Sequence, residues 1–227
     1  MRELALTADE LISSLLMLSE TETVCLLDSC GVGYLDSHLL IAGIRPVEIS
    51  EITNADAAST LAALDESTSD GMASIFTISY DLGRKLLNIG GEPIKKREPD
   101  VFLARFDTLI VYDYRTGETK LLGELAKFSD TAKILQQNIS DLKFEISHSP
   151  VEVNSNFTKA EYLAAIDEIH EQIRCGNTYQ TNLTRQLTAE LPHDLTPQTI
   201  FSRLRRHHPA PFAAFLIRPG STVISAS

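Results

Sequence analysis

Residues 157–188 read FTKAEYLAAIDEIHEQIRCGNTYQTNLTRQLT. Their apolar residues follow a helical spacing before the glycine, and their side chains alternate with period two after it. Thr158 and Glu161 have the spacing of a capping box, in which each side chain accepts a hydrogen bond from the other residue's backbone N–H at the start of a helix. Gly176 can adopt the left-handed conformation that often ends a helix. From 178 to 191 the side chains alternate with period two, which predicts a strand. An apolar stripe at helical spacing precedes the glycine: Tyr162, Ile166, Ile169 and Ile173.

One face of the predicted strand is polar and uncharged. Gln180, Asn182, Thr184 and Gln186 would project to the same side, about 7 Å apart at two residues of strand rise. Such a row is either the solvated face of an antiparallel sheet or a neutral hydrogen-bonding wall beside a hydroxylated, carboxylated small molecule. Both interpretations stay open, with Gln180 and Asn182 as the candidate residues of a polar strand that supports a site.

The rest of the chain alternates helices with short apolar strands, and its connections are mostly of hairpin type. A turn-rich linker is predicted at 147–156, which divides the chain into 1–146 and 157–227. The predicted helices cover about 8–19, 55–64, 130–140 and 197–207, and the predicted strands cover about 24–27, 39–44, 72–78, 101–114, 119–122, 212–217 and 223–227.

Composition and charge exclude several classes of function. The 227 residues are 43% hydrophobic, as in a globular protein, and a net charge of −11 disfavours binding to nucleic acid or anionic lipid. No run approaches the length of a membrane span. The cysteines form no Cys-x-x-Cys pair, which argues against a disulfide framework or thiolate zinc site and favours a reducing cytoplasm. The histidines have no paired spacing typical of metal ligands.

Residues 28–31 (Asp-Ser-Cys-Gly) follow an apolar strand and form a candidate ligand contact. A short polar side chain at a strand end can meet a ligand while the glycine lets the backbone turn. The simpler interpretation, which the residues alone favour, is an Asx turn closed by the Asp28 carboxylate. The basic run 93–97 (Pro-Ile-Lys-Lys-Arg) is more typical of an exposed loop than of an anion site.

Four stretches resemble motifs of the chorismate-utilising enzymes of the anthranilate synthase component I family. Residues 173–183 (IRCGNTYQTNL) resemble the family's Gly-Asp-x-Tyr-Gln-Val-Asn-Leu signature. The other three are 79–84 (SYDLGR), 211–216 (PFAAFL) and 223–227 (VISAS), which resemble Tyr-Asp-Leu-Gly-Arg, Pro-Phe-x-Ala-Phe-Leu and the start of Ser-x-Ser-Pro-Glu. The resemblance implies an α+β fold with mixed, mainly antiparallel β-sheets and flanking helices. It also implies that 1–146 is the N-terminal subdomain and 157–227 the start of the chorismate-binding catalytic domain.

Within the family, the Tyr-Gln-x-Asn-Leu and Asp-Leu-Gly-Arg elements are most similar to the aminodeoxychorismate synthase component I branch. That branch replaces the C4 hydroxyl of chorismate with ammonia from a glutamine amidotransferase partner, using magnesium, on the route to p-aminobenzoate and folate. Two alternatives stay open. One is anthranilate synthase component I of tryptophan biosynthesis, and the other is a non-catalytic module that binds an amino acid or docks the amidotransferase.

The resemblance also assigns residues. Residues 26–29 (Leu-Leu-Asp-Ser) are similar to the Leu-Leu-Glu-Ser element that lines an amino-acid pocket, which holds tryptophan in some members. The family's Pro-Ile-Lys-Gly-Thr lysine, magnesium-binding glutamates and Gly-rich chorismate segment follow the Ser-x-Ser-Pro-Glu strand. We therefore expect no catalytic or metal-binding residue in this chain and no turnover by it alone. The Pro-Ile-Lys at 93–95 precedes the Tyr-Gln strand and lacks the Gly-Thr. The candidate pocket residues are Ser29, Pro211, Phe212 and Ala213.

Overall fold

The computed structural model describes residues 1–90, 98–139 and 151–227. The chain divides into two compact units, Met1–Phe144 with Pro197–Ser227, and Glu145–Thr196. This division differs from the one predicted at 147–156, because the last 31 residues join the first unit instead of the later section. Residues 147–150 of the predicted linker and the basic run 93–97 lie outside the described residues.

A seven-stranded sheet organises the first unit. Every strand pairs antiparallel with its neighbours, so the expected mainly antiparallel α+β architecture is confirmed. The strand order across the sheet is β1 (Arg2–Leu4), β8 (Glu118–Gly123), β7 (Thr108–Asp113), β3 (Leu39–Ile44), β2 (Val24–Asp28), β11 (Ala213–Arg218) and β12 (Ser221–Ala226).

Three helices cover one face of this sheet, namely α1 (Ala8–Leu18), α4 (Phe128–Gln137) and α6 (Pro197–His207). Helix α1 starts at a capping box, in which the Glu10 N–H donates to the Thr7 hydroxyl at 3.3 Å and the Thr7 N–H donates to the Glu10 carboxylate at 2.8 Å. The apolar residues of the helices and strands form one buried cluster, which includes Leu11, Leu15, Leu26, Leu40, Phe201 and Phe215.

A three-stranded antiparallel sheet packs on the opposite face, in the order β4 (Glu48–Ile52), β6 (Val101–Phe106) and β5 (Ala73–Ile78). Helices α2 (Ala57–Thr68) and α3 (Tyr80–Leu86) form a separate small apolar cluster with the start of β6, which contains Ala57, Leu82 and Val101. The sequence predicts one β-rich run over 101–114, but the structure ends β6 before Asp107 and places β7 in the other sheet. The cluster between the two sheets contains Cys25, Ile75, Phe102, Ala104, Phe106 and Leu216.

The second unit contains helix α5 (Lys159–Arg174) and a short antiparallel pair, β9 (Val153–Ser155) with β10 (Leu187–Ala189). The predicted helix is confirmed with its capping box. The prediction of a strand over 178–191 is confirmed only for β10 and is wrong for the other residues of that range. Alternation defines the two faces of a strand, but a strand also needs a neighbour for its backbone hydrogen bonds, and in the described chain β9 supplies one only to residues 187–189. No helix within the described ranges is long and apolar enough to cross a membrane.

Candidate functional site

A pocket of about 370 Å³ opens on the seven-stranded sheet, on the face that also carries the smaller sheet. Its floor is a row of apolar side chains on adjacent strands: Leu27 of β2 is paired with Ile41 of β3 on one side and with Ala214 of β11 on the other. This volume lies in the range of small-molecule sites. The pocket therefore offers a flat apolar surface to one side of a ligand.

The antiparallel pairing of β2 with β11 brings the sequence-predicted pocket residues together. Asp28, the last residue of β2, is paired with Ala213, the first residue of β11. Ser29 therefore lies beside the segment that leads into β11, although the two are far apart along the chain. Ser29, Pro211, Phe212 and Ala213 all line the pocket.

Ser29 is a buried polar residue of the pocket lining. Ser29 is 3% exposed, and its hydroxyl oxygen has no hydrogen-bond partner among the described residues. Its backbone is held on both sides, because the N–H donates to the Leu39 carbonyl at 3.0 Å and the carbonyl accepts from the Val32 N–H at 2.8 Å. A buried polar group without a partner costs free energy, and a ligand that hydrogen-bonds it recovers that cost.

The loop that carries Ser29 has an unusual backbone. Cys30, Leu35 and Asp36 have φ values of 52°, 47° and 63°, a region that residues other than glycine rarely adopt. Strained residues of this kind cluster at functional sites, where surrounding contacts hold them. The Cys30 N–H donates to the Asp28 carboxylate at 2.8 Å, which confirms the predicted Asx turn at residues 28–31.

Asp28 is also the centre of a buried polar cluster on the helix side of the sheet. Its side chain is fully buried and accepts from the Tyr114 hydroxyl at 2.7 Å and from Nε of Arg205 at 2.9 Å. Nη2 of Arg205 donates to the Tyr114 oxygen at 3.1 Å, which closes a triangle. Sequence reasoning missed Tyr114 and Arg205, because no local pattern links them to residues 28–31.

The electrostatics of this cluster follow from burial and charge. Burial, together with the nearby Asp28 charge, raises the pKa of the Tyr114 hydroxyl. Burial alone would lower the pKa of Arg205, but its interactions with Tyr114 and Asp28 outweigh that effect and the pKa is raised. At neutral pH the cluster therefore contains a neutral phenol and a guanidinium, and the guanidinium lies against the Asp28 carboxylate.

The pocket rim carries polar side chains. No lysine or arginine is among the described residues that line it, whereas Asp36 and His38 are. The Asp36 carboxylate bonds Arg115, and the Asp36 carbonyl lies 2.6 Å from Nδ1 of His38. Phe212 is half exposed and meets Tyr34 edge to face, with 6.4 Å between ring centres. An apolar floor, an aromatic edge and a nearby hydroxyl without a partner suit a ligand with a ring and a hydrogen-bond donor.

The other residues singled out by sequence lie elsewhere. Gln180 and Asn182 are exposed residues of the second unit and belong to no strand. The 79–84 motif starts helix α3, where Tyr80 is 94% exposed. Within the described part of the chain, no three His, Cys, Asp or Glu residues gather in a way that could hold a metal ion.

Comparison with known proteins gives one family and two functional names. Residues 23–227 match the family model described as chorismate binding enzyme. Anthranilate synthase component 1 of Serratia marcescens is 25% identical over 76% of this chain. Aminodeoxychorismate synthase of Streptomyces griseus is 32% identical over 57% of it, and aminodeoxychorismate synthase component 1 of Bacillus subtilis (strain 168) is 26% identical over 66%.

A solved structure agrees on the fold. Anthranilate synthase component I from Streptococcus pneumoniae TIGR4 superposes with a TM-score of 0.67 over 86% of this chain, at 17% sequence identity. The chain covers 51% of that protein, and 35%, 20% and 34% of the three relatives in the order given above. It therefore spans at most about half of the proteins it resembles.

Proposed function

Because the chain belongs to the family of chorismate-binding enzymes, we propose that it is part of an aminodeoxychorismate synthase component I, which replaces the C4 hydroxyl of chorismate with ammonia. The observation that carries this proposal is the family match over residues 23–227. The Tyr-Gln-x-Asn-Leu and Asp-Leu-Gly-Arg elements favour this branch over anthranilate synthase. In this role a glutamine amidotransferase partner supplies the ammonia, and the product leads to p-aminobenzoate and folate in the cytoplasm.

The chemistry of chorismate needs residues that we do not find among those described. In this family, bound magnesium supplies electrostatic stabilisation to the carboxylated substrate, and the described residues offer no set of ligands for it. We therefore expect the chain to form no aminodeoxychorismate when it is incubated alone with chorismate, magnesium and ammonium. Detection of that product by chromatography would contradict this part of the proposal.

The same assay on the polypeptide encoded by the complete reading frame distinguishes an aminodeoxychorismate synthase from an anthranilate synthase. Aminodeoxychorismate as the product supports the proposal. Anthranilate would support the second candidate, anthranilate synthase component I, which is favoured by the names of the Serratia relative and the solved structure. Formation of neither product, together with amino-acid binding, would leave the chain as a non-catalytic amino-acid-binding module.

We also propose that the pocket binds tryptophan. An indole ring would lie against Leu27 and Ile41 with Phe212 at its edge, and a protonated amine would donate a hydrogen bond to the Ser29 oxygen. The hydroxyl that has no partner would then gain one. These contacts support binding of the indole ring and the ammonium group.

The composition of the chain makes a direct test simple. The sequence contains no tryptophan, so indole fluorescence from purified and then denatured protein reports co-purified tryptophan. Calorimetric titration of ligand-free protein with tryptophan gives the affinity, which we expect Ser29→Ala to weaken about tenfold through loss of one hydrogen bond. Ser74→Ala is the control, since Ser74 lies in β5 and does not line the pocket. An absence of heat with the wild-type chain would refute the tryptophan site.

A further inference from the structure

We propose that Arg205 of helix α6 is a positioning residue for the pocket, because it holds the turn that carries Ser29, a residue of the pocket lining. This inference rests on the proposed ligand pocket but draws on contacts from the other side of the sheet. Along β2 the side chains alternate, so Leu27 forms part of the pocket floor while the Asp28 carboxylate meets α6. Ser29 follows directly and is also among the residues that line the pocket.

The Asp28 carboxylate accepts three hydrogen bonds. One carboxylate oxygen accepts from the Cys30 N–H at 2.8 Å and the Tyr114 hydroxyl at 2.7 Å, and the other accepts from Nε of Arg205 at 2.9 Å. Because the Asp28 side chain is fully buried, the loss of the guanidinium would leave its charge without its cationic partner. The carboxylate would then turn toward water and release the Cys30 N–H.

The turn after Asp28 has a strained backbone. Cys30 and Gly31 are consecutive residues with φ values of 52° and 68°. Cys30 has a side chain that disfavours this conformation, so the turn persists only while other contacts hold it. The Tyr114 ring lies over the turn, since a Cβ on Gly31 would be 3.2 Å from a ring carbon. Release of Cys30 would therefore move Ser29, the residue before it.

Arg205 also contacts two groups other than Asp28. Its Nη2 donates to the Tyr114 oxygen, and its Nη1 lies 3.1 Å from the Asp9 carboxylate at the start of α1. The guanidinium of α6 therefore bonds Asp9 of α1 and Asp28 at the end of β2, with a planar geometry that an ammonium cannot reproduce. The pocket turn takes its position from this arrangement.

The first experiment needs no ligand. Amide hydrogen exchange is compared between the wild-type chain, Arg205→Met and the control Arg206→Met, whose residue is exposed on the same helix. We expect Arg205→Met to speed exchange of the Cys30 and Val32 amides about tenfold, with β6 unchanged, and Arg206→Met to change neither. Unchanged exchange at Cys30 and Val32 would overturn the proposal.

The second experiment separates positioning from general stability. Tryptophan affinity is measured at a temperature at which circular dichroism shows every variant to be folded. We expect Arg205→Met to weaken binding about tenfold in the wild-type background but less than about twofold in the Ser29→Ala background, because both changes remove the same contact. Equal losses in the two backgrounds would overturn the proposal.

Two further outcomes are distinguishable. If Arg205→Met does not fold, Tyr114→Phe serves instead, because it removes one donor to Asp28 and one acceptor of Arg205, and its expected effects have the same direction. If the wild-type chain binds no tryptophan, the ligand proposal fails, while the amide exchange result still decides whether Arg205 holds the turn.

Discussion

Gly43 of β3 lies directly against the Phe106 ring of β6 in the other sheet, and we predict that Gly43→Ala destabilises the fold. A Cβ at this position would lie 2.5 to 2.6 Å from three ring carbons of Phe106. Ordinary van der Waals contact is 3.4–4 Å, so the ring would have to withdraw by about 1 Å. Phe106 is 1% exposed and packs in the cluster between the sheets, so it has little space to move into.

The expected magnitude follows from two opposing effects. Overpacking a well-filled core costs about 1–3 kcal/mol, and the short distances here place the cost at the upper end. Alanine recovers about 0.5–1 kcal/mol of backbone entropy in a strand. The net loss of unfolding free energy is therefore about 2 kcal/mol, which for a chain of this size lowers Tm by about 4–8 °C.

Urea unfolding followed by far-UV circular dichroism measures this loss. Gly33→Ala is the matched control, because a Cβ on Gly33 would meet nothing within 4 Å and its φ is not in the left-handed region. In a Phe106→Leu background the ring is gone, so Gly43→Ala should cost at least about 1 kcal/mol less than in the wild type. A Gly43→Ala protein as stable as the wild type, or an equal loss in both backgrounds, would refute the reasoning.

Three further predictions concern charged and reactive groups. Lys85→Met should lower the unfolding free energy by about 3 kcal/mol in urea titration, because it leaves Asp100, 1% exposed, without the ammonium that now lies 2.5 Å from it. Hydrogen bonds from the backbone and hydroxyl of the N-cap threonine lower the pKa of Glu10 below 4.5, so its stabilising effect is full above that pH and is lost as the pH falls through the lowered value. The stability deficit of Glu10→Gln should therefore shrink in acid, and a deficit that grows there would contradict this. Burial raises the pKa of Cys25 to about 12, so iodoacetamide should modify the exposed Cys175 first, as mass spectrometry of the labelled peptides would show.

Most elements could be predicted because their determinants are local. The capping boxes at Thr7 and Thr158 start helices at the predicted places, since each box involves residues only three positions apart. Strand β3 and helix α6 have the predicted bounds, Leu39–Ile44 and Pro197–His207. In each of these segments, periodicity and turn residues agree with the final structure.

The wrong predictions concern segments whose structure depends on which strands pair with each other. Residues 178–186 alternate like a strand but have no neighbouring strand in the described chain, so they stay irregular. The run 101–114 is β-rich throughout, and nothing local indicates that its halves enter different sheets. Short elements such as β1, β4 and α3 were not expected, because three to seven residues carry little periodicity.

The candidate site shows the same distinction. The motifs alone pointed to Ser29 and the Pro-Phe strand and identified the family, because motif residues are visible in the chain itself. Only the tertiary structure decided that Asp28 lies opposite Ala213, that the Ser29 hydroxyl is buried without a partner, and that Arg205 and Tyr114 hold the turn beside it. Contacts between residues so distant along the chain depend on strand order and register, which follow from the packing of the whole sheet and not from any local pattern.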